Sequence, residues 1–125
     1  MDNNKKAFDE ALASLTAKDQ PFEIVQRTIA DVNYKVYQNA PTTLREVYLR
    51  ALQHGDKECL IYQDERWTFS QLLQQAWSLA AALASEHQIS SGDRVGIAMR
   101  NYPEWLTSFI AVTSMGAVAV PINSW

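Results

Sequence analysis

Two short clusters hold the residues best placed for chemistry, Arg100-Asn101-Tyr102 and Asn123-Ser124-Trp125. Each follows a short apolar run, Val95 to Met99 in the first case and Ala117 to Ile122 in the second. Ligands of open parallel sheets bind beyond the carboxyl ends of the strands, which is where these clusters would stand. A helix opening at Asn101 could also turn its N-terminus toward an anion. The plainer reading is preferred: Asn101 caps the helix, and Tyr102 and Trp105 are core or rim, since nearly every helix needs a cap.

Other reactive side chains give less. His54 and His87 each close a predicted helix, where a histidine serves the dipole and the last carbonyls more often than it serves catalysis. Together with Cys59 they match no zinc spacing. Cys59 reads as a buried, inert thiol, with no cluster nearby to stabilise a thiolate. The acidic residues are scattered over predicted exposed faces, and no two are placed as an acid–base couple. Only four glycines are present, so there is no glycine-rich phosphate cradle, and the nucleotide-binding and nucleophile-elbow signatures are missing. No residue is therefore assigned a catalytic, cofactor-binding or metal-binding role.

The element that must position the two clusters is Gly92 to Asn123. Gly92-Asp93 is a turn signal and the first apolar run a strand. Trp105, Leu106, Phe109, Ile110 and Thr113 then recur at helical spacing, Gly116 stops the helix, and the second run is another strand. Both runs are apolar on nearly every residue, which predicts a βαβ unit feeding a buried parallel sheet, with a right-handed crossover. Pro103 falls in the helix's first turn, and Glu104 stands three residues after Asn101.

Upstream, residues 4–17 are expected to form a helix carrying Phe8, Leu12 and Leu15 on one face. Phe22 to Gln38 is rich in strand formers and reads as a hairpin turning near Ala30-Asp31, with a helix as the alternative. Thr43 to Glu46 fits a capping box opening a helix through Leu44, Val47, Tyr48, Ala51 and Leu52, closed by a left-handed Gly55. Glu58 to Gln63 and Arg66 to Thr68 predict a hairpin around Asp64-Glu65. Thr68 and Gln71 form a second capping box, with Trp67 stapled onto Leu72. That helix runs to about Glu86 and buries Leu72, Ala76, Leu79, Ala80 and Leu83.

The totals agree with a globular chain. Of 125 residues, 47% are hydrophobic and 20% charged, a composition that forms a core. A net charge of −3 offers no electrostatic case for nucleic acid or an anionic membrane. The single cysteine fits a reducing, cytoplasmic setting. No apolar leader is seen near the start, and polar residues break the stretch Trp105 to Ile122, so no secretion signal or membrane span is expected.

Three stretches in this order carry a family resemblance: Trp67-Thr68-Phe69-Ser70-Gln71-Leu72; Gly92-Asp93-Arg94-Val95 through Asn101-Tyr102-Pro103-Glu104-Trp105; and Gly116-Ala117-Val118-Ala119-Val120-Pro121-Ile122-Asn123. Over about residues 22 to 125 the chain resembles the adenylate-forming (AMP-binding) superfamily, which holds acyl-CoA synthetases, luciferases and peptide-synthetase adenylation domains. Asn39-Ala40-Pro41 with Leu44-Arg45-Glu46 is most similar to bacterial acyl-CoA synthetases. The resemblance implies the early part of a large N-terminal domain. The phosphate loop, nucleotide contacts, magnesium carboxylate and catalytic lysine of the family fall beyond the motifs matched here.

The residue patterns and the resemblance together set the expectations. The fold is α/β: a partly parallel sheet with a central βαβ unit, flanking helices and one or two antiparallel hairpins. Residues 1–20 are expected to be an N-terminal helix and linker, and 21–125 an incomplete subregion of an adenylation-type domain. The chain reads as a fragment whose partner is the rest of its parent enzyme. The family implies that the parent joins a carboxylic acid to ATP·Mg, releasing pyrophosphate, and passes the acyl group to CoA with release of AMP, in fatty acid metabolism. ATP, Mg and CoA are implied for the parent, and none for this chain, which is expected to be inactive alone. The alternative is a free-standing interaction or self-associating α/β module, and a small nucleotide-binding domain using the strand ends near Asn101 ranks last.

Overall fold

The computed structural model describes the backbone of residues 2–122 and the side chains of residues 4–122. The chain forms two compact units, Met1–Pro41 and Thr42–Trp125.

In the first unit, helix α1 spans Asp2–Leu15, and strands β1 (Ile24–Ile29) and β2 (Val32–Tyr37) form an antiparallel hairpin. Ile29 pairs with Val32, so Ala30 and Asp31 are the whole turn, as expected. Both have positive φ, 48° and 64°, the backbone that a two-residue turn needs to match strand twist. Thr28 and Asn33 join side chains across the ladder at 2.7 Å. Phe8, Leu12 and Leu15 of α1 are all exposed.

The second unit holds helices α2 (Leu44–Ala51), α3 (Phe69–His87) and α4 (Pro103–Ser114), the hairpin β3 (Glu58–Tyr62) and β4 (Glu65–Thr68), and the strands β5 (Arg94–Ile97) and β6 (Val118–Pro121). Its core is a cluster of Leu72, Leu73 and Ala76 from α3 with Ile110 from α4, against which Tyr48, Cys59, Trp67 and Leu106 pack. Apolar burial of this kind supplies most of the favourable free energy of such a unit. Two polar contacts fasten α2 to the end of α4: the Tyr48 hydroxyl lies 2.9 Å from Thr113 Oγ1, and Arg45 Nη1 donates to the Ser114 carbonyl at 3.2 Å.

Several expectations need correction. The α2 cap is shared over two residues. Thr43 Oγ1 accepts from the Glu46 N–H at 3.2 Å, but the Glu46 carboxylate takes the N–H and hydroxyl of Thr42, at 2.9 and 2.8 Å, instead of the Thr43 N–H. A 3-10 turn, Leu52–His54, ends α2, and Gly55 closes it at φ 53°, ψ −119°, outside the left-handed helical well. The β3–β4 turn centres on Gln63-Asp64, because Tyr62 pairs with Glu65. Along α3, Leu73 is buried where Leu79, Ala80 and Leu83 are only half-buried. The Thr68–Gln71 capping box forms as expected, with both bonds present at 3.2 and 3.0 Å.

The βαβ unit is present: β5 and β6 pair in parallel from Arg94↔Val118 to Ile97↔Pro121, with α4 as the crossover. Its strands are not buried on both faces, as their composition implied. Ile97 is buried and Val95 and Ala119 half-buried on one face, while Val118, Val120 and Ile122 on the other are 47%, 37% and 52% exposed. The described strands form three two-stranded sheets, so no further described strand pairs with the edges of β5–β6. Residue type fixes which positions can be buried; a covering layer decides which ones are.

Candidate functional site

At the carboxyl end of β5 the chain turns through Arg100, Asn101 and Tyr102 into α4, as the apolar runs implied. Asn101 is not the cap. Pro103 is the first helical residue, so Tyr102 holds the N-cap position in extended backbone, without a side-chain cap bond. Proline's fixed φ and missing N–H suit it best to that first position, and this was the signal that placed the cap one residue later. The Tyr102 N–H instead bonds the Arg100 carbonyl at 2.8 Å, and the Trp105 N–H bonds the Tyr102 carbonyl at 3.0 Å.

The structure brings Asn101, Tyr102 and Trp105 to the hairpin strand β3. Together with Leu60, Ile61, Tyr62, Pro103 and Leu106 they line an open groove of about 240 Å³. The Tyr62 and Tyr102 rings meet edge to face at 5.7 Å, and Trp105 stacks on Phe109 at 5.4 Å. Ile61, 62% exposed, and Tyr102, 43% exposed, form the open wall. The β3 residues of this groove went unread in the sequence. They come from a segment some forty positions away, and only tertiary packing brings the two together.

This lining suits apolar and aromatic contact and has one side-chain amide, at Asn101. It offers little to a phosphate. Glu104 stands in the first turn of α4, where its negative charge occupies the favourable end of the helix dipole. The second cluster, Asn123-Ser124-Trp125, lies outside the described residues.

The remaining reactive side chains lie elsewhere. His54 packs its ring on Phe69 at 4.8 Å, and its carbonyl accepts from the Lys57 N–H. His87 is the last residue of α3, which Gln88 ends in the left-handed region. Cys59 is half-buried in β3, and its Sγ lies 3.4 Å from the Trp67 carbonyl, to which it donates. Burial pushes this thiol above its ordinary range, so its nucleophilic form is disfavoured. Among the described residues no three His, Cys, Asp or Glu side chains gather as metal ligands. No described helix is long and apolar enough to cross a membrane.

Comparison with known proteins gives this arrangement a family. The model of the AMP-binding enzyme family matches residues 47–124. Acyl-CoA ligase sidI of Aspergillus fumigatus is 36% identical over 78 residues, covering 61% of this chain and 13% of that protein. The 4-hydroxybutyrate–CoA ligase 2 of Metallosphaera sedula is 38% identical over 68 residues, covering 54% of this chain and 12% of that protein. Among solved structures, NpsA of Klebsiella oxytoca in complex with 3-hydroxyanthranilyl-AMSN superposes with a TM-score of 0.64 at 29% identity, over 68% of this chain and 17% of that one. The anthranilate CoA ligase AuaEII in complex with anthranoyl-AMP gives 0.63 at 29% identity, over 69% and 17%. The chain thus spans about an eighth of the length of the curated relatives it matches. With the family model matching well over half of its residues, in the unit built on the parallel β5–β6 pair, the chain belongs to the AMP-binding, adenylate-forming enzymes.

Proposed function

We propose that the chain is the N-terminal structural part of an ATP-dependent acid–CoA ligase, and that it has no ligase activity alone. The carrying observation is the family match over residues 47–124, which takes in the β3–β4 hairpin, α3 and the βαβ unit. In this reading the parent attaches AMP to a carboxylic acid and then passes the acyl group to CoA. ATP, magnesium and the groups that neutralise phosphate charge are held by its other segments. Relatives named as acid–CoA ligases support CoA as the acceptor. A reducing cytoplasm, consistent with the lone thiol, and a place in fatty acid metabolism go with it.

The test is carboxylate-dependent exchange of labelled pyrophosphate into ATP, followed by CoA-dependent release of AMP. The parent protein should do both across a panel of acids, and the 125-residue chain neither. Exchange without any CoA dependence would remove the ligase reading and keep the adenylate-forming one. Exchange by the chain alone would overturn its assignment as scaffold.

A second reading, a self-associating module, has one observation in its favour: the exposed apolar face of β5–β6 with open edges. Sedimentation of the chain over a wide concentration range tests it, and a monomer throughout would remove it.

A further inference from the structure

We draw no further inference here: the strongest candidate, the exposed apolar face that Ile29, Val32 and Tyr34 form on the β1–β2 hairpin, carries nothing because nothing in the structure shows what covers it.

Discussion

Thr68 does two jobs in one residue: it ends β4 and caps α3. Its Oγ1 accepts the Gln71 N–H, and its own N–H is taken by the Gln71 side chain. Replacing Thr68 with Ala leaves an exposed helix start without its cap and should cost about 1 kcal/mol in urea unfolding, while Thr68→Ser should cost much less. Glu46 makes a pH-dependent version of the same device. Its bonds to Thr42 hold the carboxyl below the ordinary glutamate range, so the ionised form is favoured in the folded state. A depressed acid contributes stability above its unfolded pKa and loses it as pH falls through the folded one. The start of α2 should therefore loosen below about pH 4.3, the unperturbed glutamate value. Amide exchange at Glu46 should show this, and Glu46→Gln should flatten the dependence. Cys59 should react with a disulfide reagent at neutral pH more slowly than a free small thiol does, because burial disfavours its thiolate.

At the scale of elements, the joint between the loop before β5 and the end of α4 is the most exacting. Gly116 has φ 84°, and a Cβ placed there would lie 2.7 Å from Ser91 Oγ. The Gly116 carbonyl also accepts from the Gly92 N–H at 2.9 Å. Gly116→Ala should destabilise the second unit by roughly 2 kcal/mol, from clash and positive φ together. Adding Ser91→Gly should recover the clash and leave the backbone cost, which a double-mutant cycle would separate. Joints like this were legible in the sequence because their signals are local. Gly116 marks the end of α4, Thr68 and Gln71 stand three apart, and Ala30-Asp31 lies between two strand-forming runs. Strand burial and the groove were not legible, because both depend on residues distant in the chain. Val118 and Val120 look like core by type, yet both are exposed. Tyr62 carries no local mark of its meeting with Tyr102. Even the Asn101 cap failed through competition between two local signals, a good capping residue and a proline that prefers the first helical position.

Taken whole, the second unit buries one side of its parallel pair better than the other. Its apolar cluster lies between α2, α3, α4 and the β3–β4 hairpin, while the outer face of β5–β6 stays open. The isolated chain should therefore bind a hydrophobic dye strongly while it retains native helical circular dichroism. Val118→Thr with Val120→Thr should lower the dye signal measurably, with little change in helix content, the rest coming from the exposed apolar side chains of α1 and the β1–β2 hairpin. An unchanged signal would place the sticky surface elsewhere.

The parallel ladder also has a consequence in time. Antiparallel hairpins such as β3–β4 close across two residues and can form early. The β5–β6 pair joins the two ends of a unit whose middle is α4, so its first bond must wait until that helix has packed back. During synthesis β5 would emerge well before its partner. It would stay unpaired until residues 118–121 were free, with Ile97 briefly open to solvent. Pulse-labelled hydrogen exchange during refolding should accordingly find α3 and α4 protected first and the β5–β6 amides last.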